Sequence, residues 1–250
     1  MDEPQQLGEI LNDRLFVKCE SCGVGFKMWD SNKQEYRKWC RRCVDVYHRK
    51  KGLKPEKAER LIQDTVEPLY SVAKLDDLAA DLKDKLLALK YGQDVFMYGQ
   101  IGTGKTYAMA ALIRHYIYEG FECRRLNFDD FCVSVRATFS PTSKRTEEEI
   151  VEPLKWIVDK LFIDDLGLRS IEESNFVYGT FYSILNKRQE RLLPTFITSN
   201  KSIDQLSRTF DARIASRLKP ALIIELIGKD RREMDKYRPE IKVKVDNGKT

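Results

Sequence analysis

The segment Gly99-Gln-Ile-Gly102-Thr103-Gly104-Lys105-Thr106 holds glycines, a lysine and a hydroxyl in the spacing G-x-x-x-x-G-K-T. Glycines let a main chain wrap closely round a polyphosphate with its amides turned inward. The apolar helical stretch that follows, YAMAALIRHYIY, presents its positive dipole end to the same anion. In such a loop Lys105 contacts the β- and γ-phosphates and the Thr106 hydroxyl takes one magnesium position. Gly99, Gly102, Thr103, Gly104, Lys105, Thr106 and the adjoining Tyr107 are therefore the expected nucleotide contacts. A functionless glycine turn is the bland rival, and the strand, loop and helix setting argues against it. A dinucleotide fingerprint fails, because G-x-G-x-x-G does not carry Lys-Thr.

Further along, Lys160-Leu-Phe-Ile-Asp164-Asp165-Leu-Gly167 places two carboxylates just past an apolar run. At the carboxyl edge of a parallel sheet, Asp164 would hold magnesium, and Asp165 would orient or deprotonate an attacking water. The rival use of such acids is to cap the next helix. Thr195-Phe-Ile-Thr198-Ser199-Asn200 ends another apolar run on an amide, which would position that water against the γ-phosphate. Arg213 and Arg217 stand four residues apart, on one helical face. Either is placed to reach a neighbouring subunit's nucleotide, against the plainer role of a surface ion pair.

Metal chemistry is suggested at the other end of the chain. Cys19-Glu-Ser-Cys22 and Cys40-Arg-Arg-Cys43 are two knuckles with 17 residues between them, the spacing of a structural zinc site. Four thiolates leave no open coordination position, so such a zinc is structural rather than catalytic. Disulfides are the rival, disfavoured in a reducing compartment. With only His48 and His115 in the chain, three-histidine metal sites are excluded and carboxylates and lysine must carry any catalysis. From Tyr36 to Lys54 there are eight Lys or Arg against Asp45 alone, interleaved with Trp39 and Tyr47. This is either a phosphate-binding face or a solvated rim, with Trp29 and Trp39 buried over the metal.

These groups need a scaffold, and the hydropathy pattern supplies one. Strands are expected at 95–98, 123–128, 161–164, 195–198 and 222–226, with helices near 105–119, 129–139, 146–158, 174–191 and 209–218. That alternation is an α/β fold with a parallel five-stranded sheet flanked by helices. The expected organisation is a zinc-binding unit over 1–54, a linker over 55–72 marked by Pro55 and Pro68, an ATPase domain over 73–236 and a polar tail over 237–250. The net charge of +5 sits almost wholly in residues 1–55, which hold 12 Lys or Arg against 8 Asp or Glu. With 33% charged residues and no long apolar run, no membrane is expected, and the acidic start lacks a secretory signal, which points to the cytoplasm.

Taken in order, GQIGTGKT, LFIDDLG, FITSN and ARIASRL resemble the AAA+ helicase loaders of bacterial and phage replication, the DnaC/DnaI-like group. More distantly they are similar to the IstB-like transposition ATPases. The resemblance covers about residues 70–235 and implies an ATPase that works between subunits with ATP and magnesium. It further implies a self-associating loader that binds single-stranded DNA and a hexameric replicative helicase. It gives Asp165 the place of a catalytic glutamate, Asn200 that of sensor 1 and Arg217 that of the trans-acting finger. Arg231 or Arg232, with Arg232 preferred, would be sensor 2. Only 24 residues follow Leu226, which implies a sheet without a full helical lid. A zinc (Zn²⁺) module before the ATPase is similar to the DnaI branch, where it docks on the helicase. Two other readings stay open: a transposition accessory ATPase, and a nucleotide-binding zinc adaptor that sequesters a helicase.

Overall fold

Each central strand alternates its side chains between two apolar layers, as the pleat requires. In β5 (Lys160–Asp164), Leu161 and Ile163 join one core and Phe162 the other; in β3 (Val95–Tyr98), Phe96 faces the first and Val95 and Met97 the second. With β4 (Cys123–Asn127), β6 (Thr195–Ser199) and β7 (Leu222–Glu225) they form a five-stranded sheet of order β4-β5-β6-β3-β7. Every pairing in it is parallel. Both faces are covered, as an all-parallel sheet demands. The computed structural model describes residues 16–27, 38–167, 175–209, 211–228 and 230.

The second face is closed chiefly by two helices, with Leu82 and Leu86 of a third, Ala80–Leu87, completing its core. Lys105–Tyr118 carries Ala108, Met109, Leu112 and Ile113 onto the sheet, and Pro55–Thr65 packs Ala58 and Ile62 into the same core. In chain order the helices are α1 (Arg41–Gly52), α2 (Pro55–Thr65), α3 (Ala80–Leu87), α4 (Lys105–Tyr118), α5 (Phe128–Ala137) and α6 (Glu147–Trp156). They continue with α7 (Asn175–Glu190), α8 (Ile203–Thr209) and α9 (Ala212–Leu218). The first face is covered by α5, α6, α7, α8 and α9, whose Phe128, Phe131, Leu154, Phe181, Leu206 and Ile214 fill its core. Helix α7 is pinned from beneath by Arg188, which is fully buried. Its guanidinium donates to the carbonyls of Leu154 (2.6 Å), Val158 (3.0 Å), Asp159 (3.3 Å) and Pro194 (2.9 Å) and to Thr195 Oγ1 (3.1 Å). Two of those carbonyls lie at the negative end of α6, where a cation is favoured.

The expected strands are all present, within one residue at each end. Two expectations change. The stretch 55–72 is not a free linker through its first half. Pro55 starts α2 at the position where its missing N–H costs nothing. Glu59 is then held by both Arg114 nitrogens (2.5 and 3.0 Å) and by the Tyr118 hydroxyl (2.6 Å) on α4. The helix expected at 209–218 is α9, which begins only at Ala212, and a further helix, α8, precedes it where none was expected. Ser202 and Gln205 cap α8 reciprocally, and the Asp211 carboxylate accepts from Arg213 N and Ile214 N to start α9 afresh. No helix among the described residues is long and apolar enough to cross a membrane. The expected tail over 237–250, and with it the expected absence of a lid, lies outside the described residues.

Because Ile62 is 1% exposed against α4, Ile62→Ala should lower unfolding stability by about 2–4 kcal/mol. Urea unfolding checks this; a change below about 0.5 kcal/mol, the size expected of an exposed position, would mean α2 is only a tether.

Candidate functional site

The glycine-rich loop leaves β3 and enters α4 at the carboxyl edge of the sheet. Gly102 and Gly104 have φ of +80° and +96°, which side-chain-bearing residues rarely adopt. The loop is tied to the end of β6 and also closed on itself. Gly99 N donates to the Ser199 carbonyl at 3.2 Å, and the Thr103 hydroxyl donates to the Gln100 carbonyl at 2.9 Å. Lys105 is 5% exposed and its Nζ donates to the carbonyls of Gly99 (2.9 Å) and Gln100 (2.8 Å). The cation is thus stowed within the curl of the loop it serves. Tyr107, one turn of chain further, gives its hydroxyl to Asp77 Oδ2 at 2.7 Å.

Asp164 closes the other side. It is 1% exposed, and both carboxylate oxygens are occupied. Oδ1 accepts from Thr106 Oγ1 at 3.3 Å and, closer, from Thr198 Oγ1; Oδ2 accepts from Arg125 Nη2 at 2.5 Å. The last residue of the glycine-lysine motif and the acid that ends β5 are therefore hydrogen-bonded, although they stand 58 positions apart in sequence. Asp165 sits at φ +59°, a left-handed conformation that costs a non-glycine residue free energy, and its amide donates to Thr198 Oγ1 at 3.0 Å. Asn200 follows β6 directly and is half-buried, next to the Ser199 carbonyl that receives the loop.

Arg213 and Arg217 stand apart from this group, on α9. They line a shallow pocket with Tyr182, Ala212 and Ser216. Arg217 Nη2 donates to the Tyr182 hydroxyl at 3.0 Å, and both guanidinium groups lie over its ring, at 5.4 Å for Arg217 and 5.8 Å for Arg213. Arg213 also pairs with Asp211 at 2.9 Å. Arg231 and Arg232 lie outside the described residues. Asp230, just before them, packs so closely on the loop that a Cβ at Gly102 would fall 2.0 Å from its Oδ1.

The four cysteines come together at the amino-terminal edge. Cys19 and Cys22 sit in the turn between β1 (Phe16–Lys18) and β2 (Gly25–Lys27), an antiparallel hairpin; Cys40 caps α1 and Cys43 lies in its first turn. Their sulfurs all lie within 4.8 Å of one another, and Cys22 Sγ to Cys40 Sγ is 3.8 Å. Sulfurs bound tetrahedrally at about 2.3 Å would be about 3.8 Å apart, so the set fits zinc. The thiols are unequal: the Cys43 thiol's hydrogen bond holds Cys40 down to about 5, while burial pushes Cys22 up to about 11.

Three basic residues within and after the second knuckle are paired with acids further along the chain. Arg42 and Arg49 both pair with buried Asp159, Arg49 Nε donates to the Gly120 carbonyl at 2.8 Å, and Lys50 meets Glu119 at 2.6 Å. Gly120 permits that approach, since a Cβ there would lie 2.6 Å from Lys50 N. Trp39 is half-buried and meets Tyr47 edge-on at 5.5 Å; Trp29 and Tyr36 lie outside the described residues.

A parallel sheet with a glycine loop at one strand end and a buried aspartate at the next is shared by many nucleotide enzymes. The sequence profile of the bacterial DnaA ATPase domain matches residues 79–225, more than half of the chain. The chain belongs to this AAA+ ATPase family. Among curated relatives of the ATPase domain, the replicative helicase loader DnaI of Bacillus subtilis is 30% identical over 121 residues, which is 48% of this chain and 37% of that protein. The replicative helicase loader DnaC of Buchnera aphidicola from Acyrthosiphon pisum is 27% identical over 144 residues, 58% of this chain and 56% of that protein. The matched stretches thus span about two fifths to under three fifths of those relatives. A crystal structure of DnaI superposes on this chain with a TM-score of 0.56 at 25% identity, covering 70% of this chain and all of that one.

Two members of the site were not singled out by motif reading. Thr198 stands inside FITSN as an ordinary strand residue, and Arg125 as one of two arginines in CRRLN. Alternation along β4 puts Arg125 and Asn127 on one face, and Asn127 is in register with Asp164; this was the available signal. Thr198→Val keeps the side-chain shape but leaves an amide and a carboxylate oxygen short of a partner. It should lower stability by about 1–3 kcal/mol, read as a shifted urea midpoint at unchanged slope.

Proposed function

We propose that the chain is an ATP-hydrolysing helicase loader that self-associates, binds single-stranded DNA and a hexameric replicative helicase, and uses hydrolysis to release its hold. The observation that carries the ATPase half is the hydrogen bond between Thr106 and buried Asp164, which joins the phosphate loop to the strand-end acid. The loader half is supported by the two relatives named replicative helicase loaders, through their shared ATPase domain.

In this reading Lys105 leaves the Gly99 and Gln100 carbonyls to grip the β- and γ-phosphates; Gly99 and Thr103 shape the curl, and the amides of Gly102, Gly104, Thr106 and Tyr107 line the same anion. Thr106 and Asp164 hold magnesium, which offsets charge on the phosphates when bound. Asp165 orients the attacking water and takes its proton, with Asn200 positioning that water from the end of β6. Arg217 serves the nucleotide of an adjacent protomer, where a guanidinium stabilises the charge that develops on the γ-phosphate. Its rest on Tyr182 leaves it on an open pocket away from its own loop, consistent with that use. Arg213, tied to Asp211, is the accessory arginine, and Arg232 takes the sensor 2 place. Cys19, Cys22, Cys40 and Cys43 hold a structural zinc ion, whose binding adds directly to folding stability.

Lys105→Ala should abolish ATP binding in calorimetry, and unaltered turnover in that variant would refute the assignment. Arg217→Ala should keep ATP affinity while losing about 10³-fold or more in turnover, with partial recovery on mixing with Lys105→Ala subunits that supply the arginine. The replicative helicase of the same host or phage should co-purify with the wild-type chain in an ATP-sensitive way. Strong duplex binding without helicase capture would instead select a transposition accessory role. Purified protein should carry one equivalent of zinc by mass spectrometry of the metal, and Cys43→Ser should lower both that content and the thermal midpoint.

A further inference from the structure

Among the described residues, Arg125 is the one arginine paired with Asp164, the acid beside the glycine loop. It leaves β4 opposite Phe162, two positions before the Asn127–Asp164 register pair, and its side chain is 9% exposed. The guanidinium bridges two carboxylates from distant parts of the chain. Nη2 donates to Asp164 Oδ2 at 2.5 Å, and Nη1 pairs with Glu67, which lies between α2 and α3. Burial works against its charge, yet the two carboxylates outweigh that cost and its pKa is raised above the ordinary arginine value. Nε is buried and has no hydrogen-bond partner, so one donor remains for an oxygen-rich ligand.

Electrostatics decides what such a residue does. Asp164 contributes one negative charge in a place almost closed to water, and its two oxygens face different neighbours. Oδ1 faces Thr106 and Thr198; Oδ2 faces Arg125. A divalent cation held beside Thr106 and Asp164 therefore shares its carboxylate with a fixed positive charge only a few ångströms off. Those two positive charges oppose each other, and both attract a polyphosphate. Glu67 sits on the far side of the guanidinium with a half-exposed side chain and draws part of the positive charge away from Asp164.

We propose that Arg125 is a positioning residue of the nucleotide site: by pairing with Asp164 Oδ2 it offsets that carboxylate's charge and so sets how tightly the site takes its divalent cation, with Glu67 tuning the pairing. This rests on the reading of the loop as a nucleotide site and adds a residue to it. It makes the charge of β4, an edge strand, a determinant of magnesium demand. It also ties that demand to the segment between α2 and α3, where Glu67 stands.

The test uses the full chain and a fluorescent ATP analogue. Affinity is measured first without added magnesium, and magnesium is then titrated to find the half-saturating concentration. Arg125→Gln should weaken binding of the analogue without magnesium and, in the opposite sense, lower the half-saturating magnesium concentration by about tenfold, because Asp164 is left uncompensated. Arg125→Lys, which keeps the charge, should restore both values towards wild type. Glu67→Gln, at a half-exposed position that tolerates substitution, should raise the magnesium requirement. A role in packing alone would weaken both measurements together in Arg125→Gln, and that outcome overturns the inference. So does an unchanged magnesium midpoint in Arg125→Gln and Glu67→Gln while wild type binds normally. If the wild-type chain binds no analogue at all, the inference falls together with the nucleotide reading beneath it.

Discussion

A carboxylate withdrawn from water must be given counter-charges or donors, and the interior strand β5, next to the edge strand β4, is bracketed by two of them. Asp159 precedes it at 5% exposure and Asp164 ends it at 1%. At the first, Arg42 and Arg49 from α1 converge with the amide of Glu122 (2.9 Å). At the second, Thr106, Thr198 and Arg125 do the same work from three different elements. Leaving either acid unpaired in that setting would cost several kcal/mol, so the surrounding elements are constrained to bring their donors to it. The sheet order, the place of the glycine loop and the seat of the cysteine module all satisfy this demand.

Much of the fold was legible because it is governed by local pattern. The strands run apolar for four or five residues and lie between faces that both need covering, so periodicity alone gave their positions and the parallel class. The glycine loop and Asp164 were legible for a different reason: close approach to an anion restricts residue types so tightly that spacing is diagnostic. The cysteine pairs share that property, and their sulfurs lie together as two knuckles should.

What stayed hidden depends on contacts between residues far apart in sequence. Pro55 and Pro68 read as punctuation, yet α2 between them belongs to a core because Ala58 and Ile62 find α4, which no local pattern reveals. Arg42, Arg49 and Lys50 read as part of a phosphate-binding face or a solvated rim, but the sequence does not say that Asp159, Gly120 and Glu119 would claim them. The break between α8 and α9 was readable in principle, from Ser202, Gln205 and Asp211 as caps. It was masked by the continuous polar and apolar mix across it.

The seat of α1 has a geometric consequence. It rests beside Gly120 and Asp159, where β4 and β5 begin, whereas the glycine loop lies where the strands finish. A five-residue strand spans about 16 Å, so the cysteine module and the phosphate loop occupy opposite poles of one sheet. A contact made at the cysteine module therefore leaves the glycine loop uncovered, and the two ends of the sheet can be engaged independently.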